Sequence, residues 1–85
     1  MDIKVKQIAE ILLSNGWTKD RFGNFKTTIS KNVYRVKIQD ASIRYELQWE
    51  RITGEKDWIN LRSDYIKNIL IDGNNIVIRG KRIPL

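Results

Sequence analysis

Basic side chains at alternating positions are the residues of this sequence best suited to bind a ligand. Arg35 and Lys37 alternate with apolar residues, and Arg44 follows in a second run of the same kind. Guanidinium and ammonium groups in such rows can bind phosphate oxygens through charge-assisted hydrogen bonds. We therefore predict a nucleic-acid-binding surface formed by Lys26, Arg35, Lys37, Arg44, Arg79, Lys81 and Arg82.

The same residues are also consistent with an ordinary solvated surface. Arg35 and Lys37 could pair across neighbouring strands with Glu46 or Glu50, or with both. Exposed ion pairs of that kind contribute only a fraction of a kcal/mol each. The segment Arg79-Gly80-Lys81-Arg82 is likewise either an arm that reaches a phosphate backbone or a solvated basic tail.

Histidine and cysteine are both absent from the chain. Their absence excludes disulfides, thiolate nucleophiles and cysteine-based metal sites, and it removes the commonest general base near neutral pH. Glu46 and Glu50 lie about 13 Å apart along an ideal strand, which is too far for glycosidase chemistry. Asp72-Gly73-Asn74-Asn75 lacks the remaining acidic ligands of a calcium loop. We predict a non-enzymatic protein without cofactor or metal.

Composition describes a small basic protein. The 85 residues include 16 Lys and Arg against 10 Asp and Glu, for a net charge of +6. With 41% hydrophobic and 31% charged residues, residues 1–85 are predicted to form a single compact domain. An excess of basic over acidic side chains favours a partner such as nucleic acid or an acidic protein surface, although the same excess can also act only to keep the protein soluble.

No targeting or membrane segment is recognisable. Lys4, Lys6 and Glu10 interrupt the N-terminal apolar residues, and no apolar stretch approaches the length of a membrane span. The expected location is the cytoplasm, with no membrane partner. The many Ile, Lys and Asn residues have AT-rich codons, which suggests a low-GC bacterium or its phage or plasmid.

The basic side chains must be positioned by strands. Period-two alternation of apolar and polar residues between Phe25 and Ile52 is typical of antiparallel strands with one buried and one solvated face. Short turn-prone connections join them as neighbours in a meander. The predicted strands are Trp17–Lys19, Phe25–Ile29, Val33–Gln39, Ile43–Ile52 and Asp57–Leu61.

A helix is predicted before these strands, from about Asp2 to Asn15. Its apolar stripe contains Ile8 and Leu12, and Asp2 is a plausible N-cap. Asn15-Gly16 should end the helix, and Trp17 should then pack against its last turn near Leu12.

The last third of the sequence has two interpretations. Residues 63–70 could form a short helix capped by Ser63, or a turn followed by a strand from about Ile66 to Ile71, which we favour. Asp72-Gly73-Asn74-Asn75 then turns the chain into a strand over 76–78.

The expected fold class is α+β. A single N-terminal helix should pack on one face of a curled antiparallel β-meander of about five to seven short strands. The expected core residues are Phe25, Ile29, Val36, Ile38, Tyr45, Leu47, Ile59, Ile69 and Ile78.

The aromatic residues divide by position. Tyr34, Tyr45 and Trp49 fall on the predicted apolar face, so a core role is favoured over base stacking. Trp58 and Tyr65 lie near turns and are the better candidates for exposure.

The segment from Ile8 to Trp17, followed by Arg21 and Gly23, resembles the opening of HicA-type toxins. Those small mRNA-cleaving proteins also begin with a helix that runs into Gly-Trp, and the resemblance implies a dsRBD-like α-β-β-β-α fold. The catalytic histidine of that family has no counterpart here, so nuclease activity is not implied. The strands predicted above also extend beyond that fold.

Two functions remain after these exclusions. The first is a small non-catalytic nucleic-acid-binding module that uses the basic face and the C-terminal segment. The alternative is a protein-interaction or inhibitor module encoded by a phage, plasmid or low-GC bacterium, whose partner docks on a sheet edge or on the charged face. An uncovered edge strand could also pair with a second copy of the chain.

Overall fold

One α-helix and two antiparallel sheets form residues 3–85, the part of the chain that the computed structural model describes. Helix α1 covers Ile3–Ser14. A 3-10 turn at Ile66–Asn68 separates the two sheets along the chain. The larger sheet contains β1 (Thr18–Lys19), β2 (Phe25–Ile29), β3 (Asn32–Gln39), β4 (Ser42–Glu50) and β5 (Lys56–Tyr65). The smaller sheet contains β6 (Leu70–Asp72), β7 (Asn75–Ile78) and β8 (Lys81–Arg82).

The end of α1 confirms the predicted helix stop. The Trp17 N–H donates to the Leu12 carbonyl and the Gly16 N–H to the Leu13 carbonyl, each at 3.1 Å. This is the Schellman pattern, and Gly16 adopts the positive φ of 88° that it requires. Trp17 is buried, as expected. The predicted N-cap Asp2 lies outside the described residues.

The larger sheet is the predicted antiparallel meander. Its strands are ordered β1-β2-β3-β4-β5, so each strand pairs with its neighbour in sequence. The register places Phe25, Val36 and Tyr45 in one row across three strands, and all three side chains are buried. The period-two pattern therefore identified the core face of these strands correctly.

The C-terminal third differs from its prediction. The chain forms two sheets in place of one continuous meander, and neither sheet is strongly curled. β5 runs on to Tyr65 instead of ending at Leu61, and a 3-10 turn occupies the start of the strand predicted from Ile66. β4 follows β3 directly, so the α-β-β-β-α order of HicA-type toxins does not appear among residues 3–85.

The hydrophobic core lies between α1, one face of the larger sheet and the smaller sheet. Ile8 and Leu12 of the helix stripe are fully buried. Of the predicted core residues, five are buried: Phe25, Val36, Tyr45, Ile69 and Ile78. Three others are half-buried: Ile29, Ile38 and Leu47.

The prediction was wrong for Ile59 and Trp49, whose exposed fractions are 42% and 49%. Both lie on the core side of the β4–β5 hairpin, near its turn. The buried cluster that contains helix residues includes no residue of β4 beyond Tyr45. Alternation predicts which face a side chain lies on, but coverage of that face depends on where the helix and the smaller sheet end.

No helix within residues 3–85 is long and apolar enough to cross a membrane.

Candidate nucleic-acid interface

The basic residues of β2, β3 and β4 share the face of the larger sheet that is turned away from the core. Lys26 pairs with Arg35, which pairs with Glu46. One row along, Lys37 pairs with Arg44. Rows on one face are about 7 Å apart along the strands. The structure therefore brings Lys26, Arg35, Lys37 and Arg44 onto one surface, as the alternation predicted.

Half of this face consists of charges that neutralise one another. Arg35 Nε donates to Glu46 Oε1 at 2.8 Å, and only 3% of the Glu46 side chain is exposed. Lys26 Nζ lies 3.7 Å from the Asp20 carboxylate. The predicted pairing of Arg35 with Glu46 is confirmed, whereas Lys37 and Glu50 make no ion pair within residues 3–85.

Trp58 of β5 completes this half of the face. Its register opposite Gln48 puts the ring on the charged side of the sheet. The Arg35 guanidinium lies 4.1 Å from the ring centroid and Lys26 Nζ lies 5.7 Å from it, both within cation–π range. We name this group the paired cluster: Asp20, Lys26, Arg35, Glu46 and Trp58.

In the other half of the face, the basic groups have few or distant partners. Lys37 makes no hydrogen bond or ion pair in the described part of the chain. Arg44 has 47% of its side chain exposed, and its one ion pair in that part of the chain is with Glu46 Oε2, at 3.8 Å. Ser63 of β5 continues this row beyond Arg44.

Arg79 joins this row from the smaller sheet. It lies in the β7–β8 turn, where Arg79 and Gly80 have φ values of 51° and 79°. Arg79 Nε donates to the Ser63 carbonyl at 2.7 Å, and the terminal nitrogens of its guanidinium make no hydrogen bond or ion pair within residues 3–85. We name Lys37, Arg44 and Arg79 the open row.

A groove of about 350 Å³ lies beside the open row. Arg44 and Arg79 both line it, although they come from different sheets. We name it the Arg79 groove. Its complete lining is Ser42, Arg44, Ser63, Asp64, Tyr65 and Arg79.

Arg62 holds the β7–β8 hairpin in the position that brings Arg79 to the groove. Its guanidinium donates to the carbonyls of Ile78 at 3.2 Å, Lys81 at 2.7 Å and Arg82 at 3.2 Å. The same group lies 5.3 Å from the ring centroid of Tyr45 in the larger sheet. One side chain therefore connects the two sheets through three charge-assisted hydrogen bonds.

Lys81 and Arg82 do not join the groove. They form β8 in the smaller sheet, so the predicted basic tail is instead a hairpin strand followed by the buried Ile83. The Arg82 guanidinium lies 3.3 Å from the Asp72 carboxylate. Of the C-terminal basic residues that were predicted as site residues, only Arg79 reaches the charged face.

Asp64 is the acidic residue of the groove lining. Its Oδ1 accepts hydrogen bonds from Asn68 Nδ2 at 3.1 Å and from the Tyr65 N–H at 2.8 Å. These two bonds, together with the nearby positive charge of Arg79, lower the pKa of the Asp64 carboxyl below its ordinary value of 3.8. Asp64 is therefore ionised at neutral pH and partly offsets the charge of Arg79.

Four lining residues were not among the predicted site residues: Ser42, Ser63, Asp64 and Tyr65. Tyr65 was a candidate for exposure and is 60% exposed, which confirms that prediction. Neither serine carries a distinguishing signal in the sequence, and Ser63 was also expected to lie beyond the end of β5. Within residues 3–85, no group of three or more acidic, histidine or cysteine side chains could hold a metal ion.

Comparisons with protein-family models, curated proteins and solved structures gave no match to this chain. The geometry of the charged face is therefore the basis for the functional argument.

Proposed function

We propose that this protein is a small non-catalytic module that binds nucleic acid through the open row. The observation that carries the proposal is the position of Arg79, which lies in the same groove as Arg44 although it comes from another sheet. With Lys37 beside Arg44, three basic side chains share one surface, and Glu46 and Asp64 offset part of their charge. Such groups contact phosphates in a sequence-independent and salt-dependent manner.

The paired cluster contributes little to this binding. Lys26 and Arg35 already contact carboxylates and the Trp58 ring, so a phosphate would have to displace those partners. The predicted surface thus narrows to the basic residues of the open row.

Salt dependence tests the proposal most directly. Three phosphate contacts predict that affinity for a mixed-sequence oligonucleotide falls about 20- to 40-fold between about 50 and 200 mM salt. A double variant with Arg44→Gln and Arg79→Gln should retain roughly one third of the log–log slope. Fluorescence anisotropy with labelled DNA and RNA measures both quantities.

A charge-matched variant provides the control. Lys31→Gln with Lys56→Gln removes the same charge from exposed positions outside the groove, and the slope should change little. Equal effects of the two double variants would mean that net charge alone attracts the oligonucleotide. Absence of binding at low salt would end the proposal.

A second candidate is protein interaction through pairing with a second copy of the chain. β5 is an edge strand of the larger sheet; its residues Ile59 and Leu61 are 42% and 41% exposed, and Trp49 of the neighbouring β4 is 49% exposed. An open strand edge next to apolar side chains is a template for strand pairing. Sedimentation velocity over a wide concentration range tests this, and a monomer throughout that range would remove the candidate.

A further inference from the structure

Tyr65 presents an aromatic ring at the wall of the Arg79 groove. The ring is 60% exposed, and the Lys67 ammonium lies 5.7 Å from its centroid. Its position across the β4–β5 pairing is opposite Ser42, so it follows Arg44 and Ser63 along the charged face. A large aromatic ring therefore lines the same groove as the two arginines.

The backbone around Tyr65 is held on both sides. The Tyr65 N–H donates to Asp64 Oδ1, and the N–H of the next residue, Ile66, donates to the Ala41 carbonyl at 2.8 Å. Ile66 is itself buried in the core. The ring is thus accessible while its attachment point is fixed, which reduces the entropy lost when a ligand packs on it.

The shape of the site favours an unpaired strand over a duplex. Proteins that read duplex DNA insert a protruding helix or strand pair into the major groove. Here the cations and the ring line a recess, and a recess admits a base only when that base has left its stack. Proteins that bind single strands combine basic grooves with aromatic side chains on which bases stack.

We infer that the Arg79 groove binds single-stranded nucleic acid, with one base stacked on Tyr65 and the adjoining phosphates held by Arg44 and Arg79. This inference rests on the proposed function and specifies its substrate class. The stack requires a free base face, whereas the arginine contacts require only the phosphate backbone. The two contributions can therefore be separated by experiment.

The test compares one mixed-sequence DNA as a single strand and as a blunt duplex, by anisotropy at low salt. We expect Tyr65→Ala to weaken single-strand binding about tenfold and to leave duplex binding unchanged, as for the loss of one stacked base. Tyr65→Phe should retain the affinity because the ring remains. Arg44→Gln should weaken binding to both forms, since both carry the phosphates.

Phe22→Ala is the matched control. Phe22 is also an exposed aromatic residue, 75% exposed, and has the Arg21 guanidinium 4.9 Å from its ring, but it does not line the groove. This substitution should leave single-strand affinity unchanged, and circular dichroism should show that each variant is folded.

Each remaining outcome has a definite meaning. Equal loss on both DNA forms in Tyr65→Ala, or no loss on either, would overturn the inference and leave the proposed function in place. Absence of binding to both forms by the unsubstituted protein would overturn the inference and the proposed function together.

Discussion

The paired cluster and the open row occupy the same face of the same sheet but use their arginines differently. Arg35 has 15% of its side chain exposed and contacts both Glu46 and Trp58. Arg44, one row away, is 47% exposed, and its ion pair within residues 3–85 is the distant one with Glu46, at 3.8 Å. The difference follows from what the fifth strand places opposite each row. Trp58, which lies opposite Gln48, packs against Arg35 from the adjacent row, whereas Ser63, opposite Arg44, has a small side chain.

The paired cluster thus contributes to stability, whereas the open row is available for binding. A buried carboxylate and its guanidinium partner are costly to separate, because each would remain desolvated without a counter-charge. An exposed arginine with one weak contact contributes little to folding and keeps its donors for a ligand. The following substitutions test that division, beginning with the largest expected effect.

Glu46→Ala should lower the free energy of unfolding by about 3 kcal/mol, because Arg35 would lose the carboxylate that it contacts beneath Trp58. Urea unfolding followed by circular dichroism measures the change. Glu50→Ala is the matched control, since Glu50 is exposed on the same strand and has no ion pair in residues 3–85. Its effect should stay below about 0.5 kcal/mol. If the two variants lose similar amounts of unfolding free energy, the buried Arg35–Glu46 pair does not stabilise the fold as proposed.

Trp58→Ala should lower the free energy of unfolding by about 1–2 kcal/mol, because the variant loses buried apolar area and the cation–π contacts with Arg35 and Lys26. The same unfolding experiment measures it. Trp49→Ala removes a 49%-exposed ring from the opposite face of the neighbouring strand and should cost less. A larger loss for Trp49 than for Trp58 would mean that the apolar end of the hairpin is covered in solution.

Arg44→Gln should change the free energy of unfolding by less than about 0.5 kcal/mol while it weakens nucleic-acid binding. The log–log salt slope should fall by about 0.7–0.9, the contribution of one phosphate contact. Lys81→Gln, in β8, should leave that slope unchanged. A reduction for Lys81 equal to that for Arg44 would extend the binding surface to the smaller sheet.

The smallest expected effect is on the titration of Asp64. Its pKa is lowered by the hydrogen bonds from Asn68 and Tyr65 and by the charge of Arg79, so its stabilising contribution is present above pH 3.8 and is lost as the pH falls further. In Arg79→Gln the pKa, followed by NMR of the carboxyl carbon, should rise towards 3.8. An unchanged pKa would indicate that Arg79 is not held beside Asp64 in solution.

Local rules were sufficient for much of the fold. The helix stop at Asn15-Gly16 and the bounds of β2 and β3 follow from turn residues and alternation, since each depends on neighbouring residues alone. The placement of Lys26, Arg35, Lys37 and Arg44 on one face follows in the same way. The length of β5 was missed because Arg62-Ser63-Asp64 carries no strand-like apolar alternation.

The candidate site was less predictable than the strands that carry it. Ser63 and Tyr65 line the groove only because β5 continues past Leu61. Arg79 was expected on a basic tail, yet it lies in a hairpin turn that Arg62 holds against the larger sheet. A contact between residues 16 positions apart in different sheets leaves no periodic signal in the sequence.

The sequence alone determined that the chain forms a helix and an antiparallel sheet with a basic face, because period and turn chemistry act over a few residues. Only the tertiary structure decided which basic groups are neutralised and which remain open. Glu46 is buried beside Arg35 of β3, which in turn contacts Trp58 of β5, whereas Arg44 is 47% exposed and has a 3.8 Å contact with Glu46. The number of charges can be read from the sequence. Whether a charged group is desolvated or paired depends on contacts between strands that are distant in the sequence.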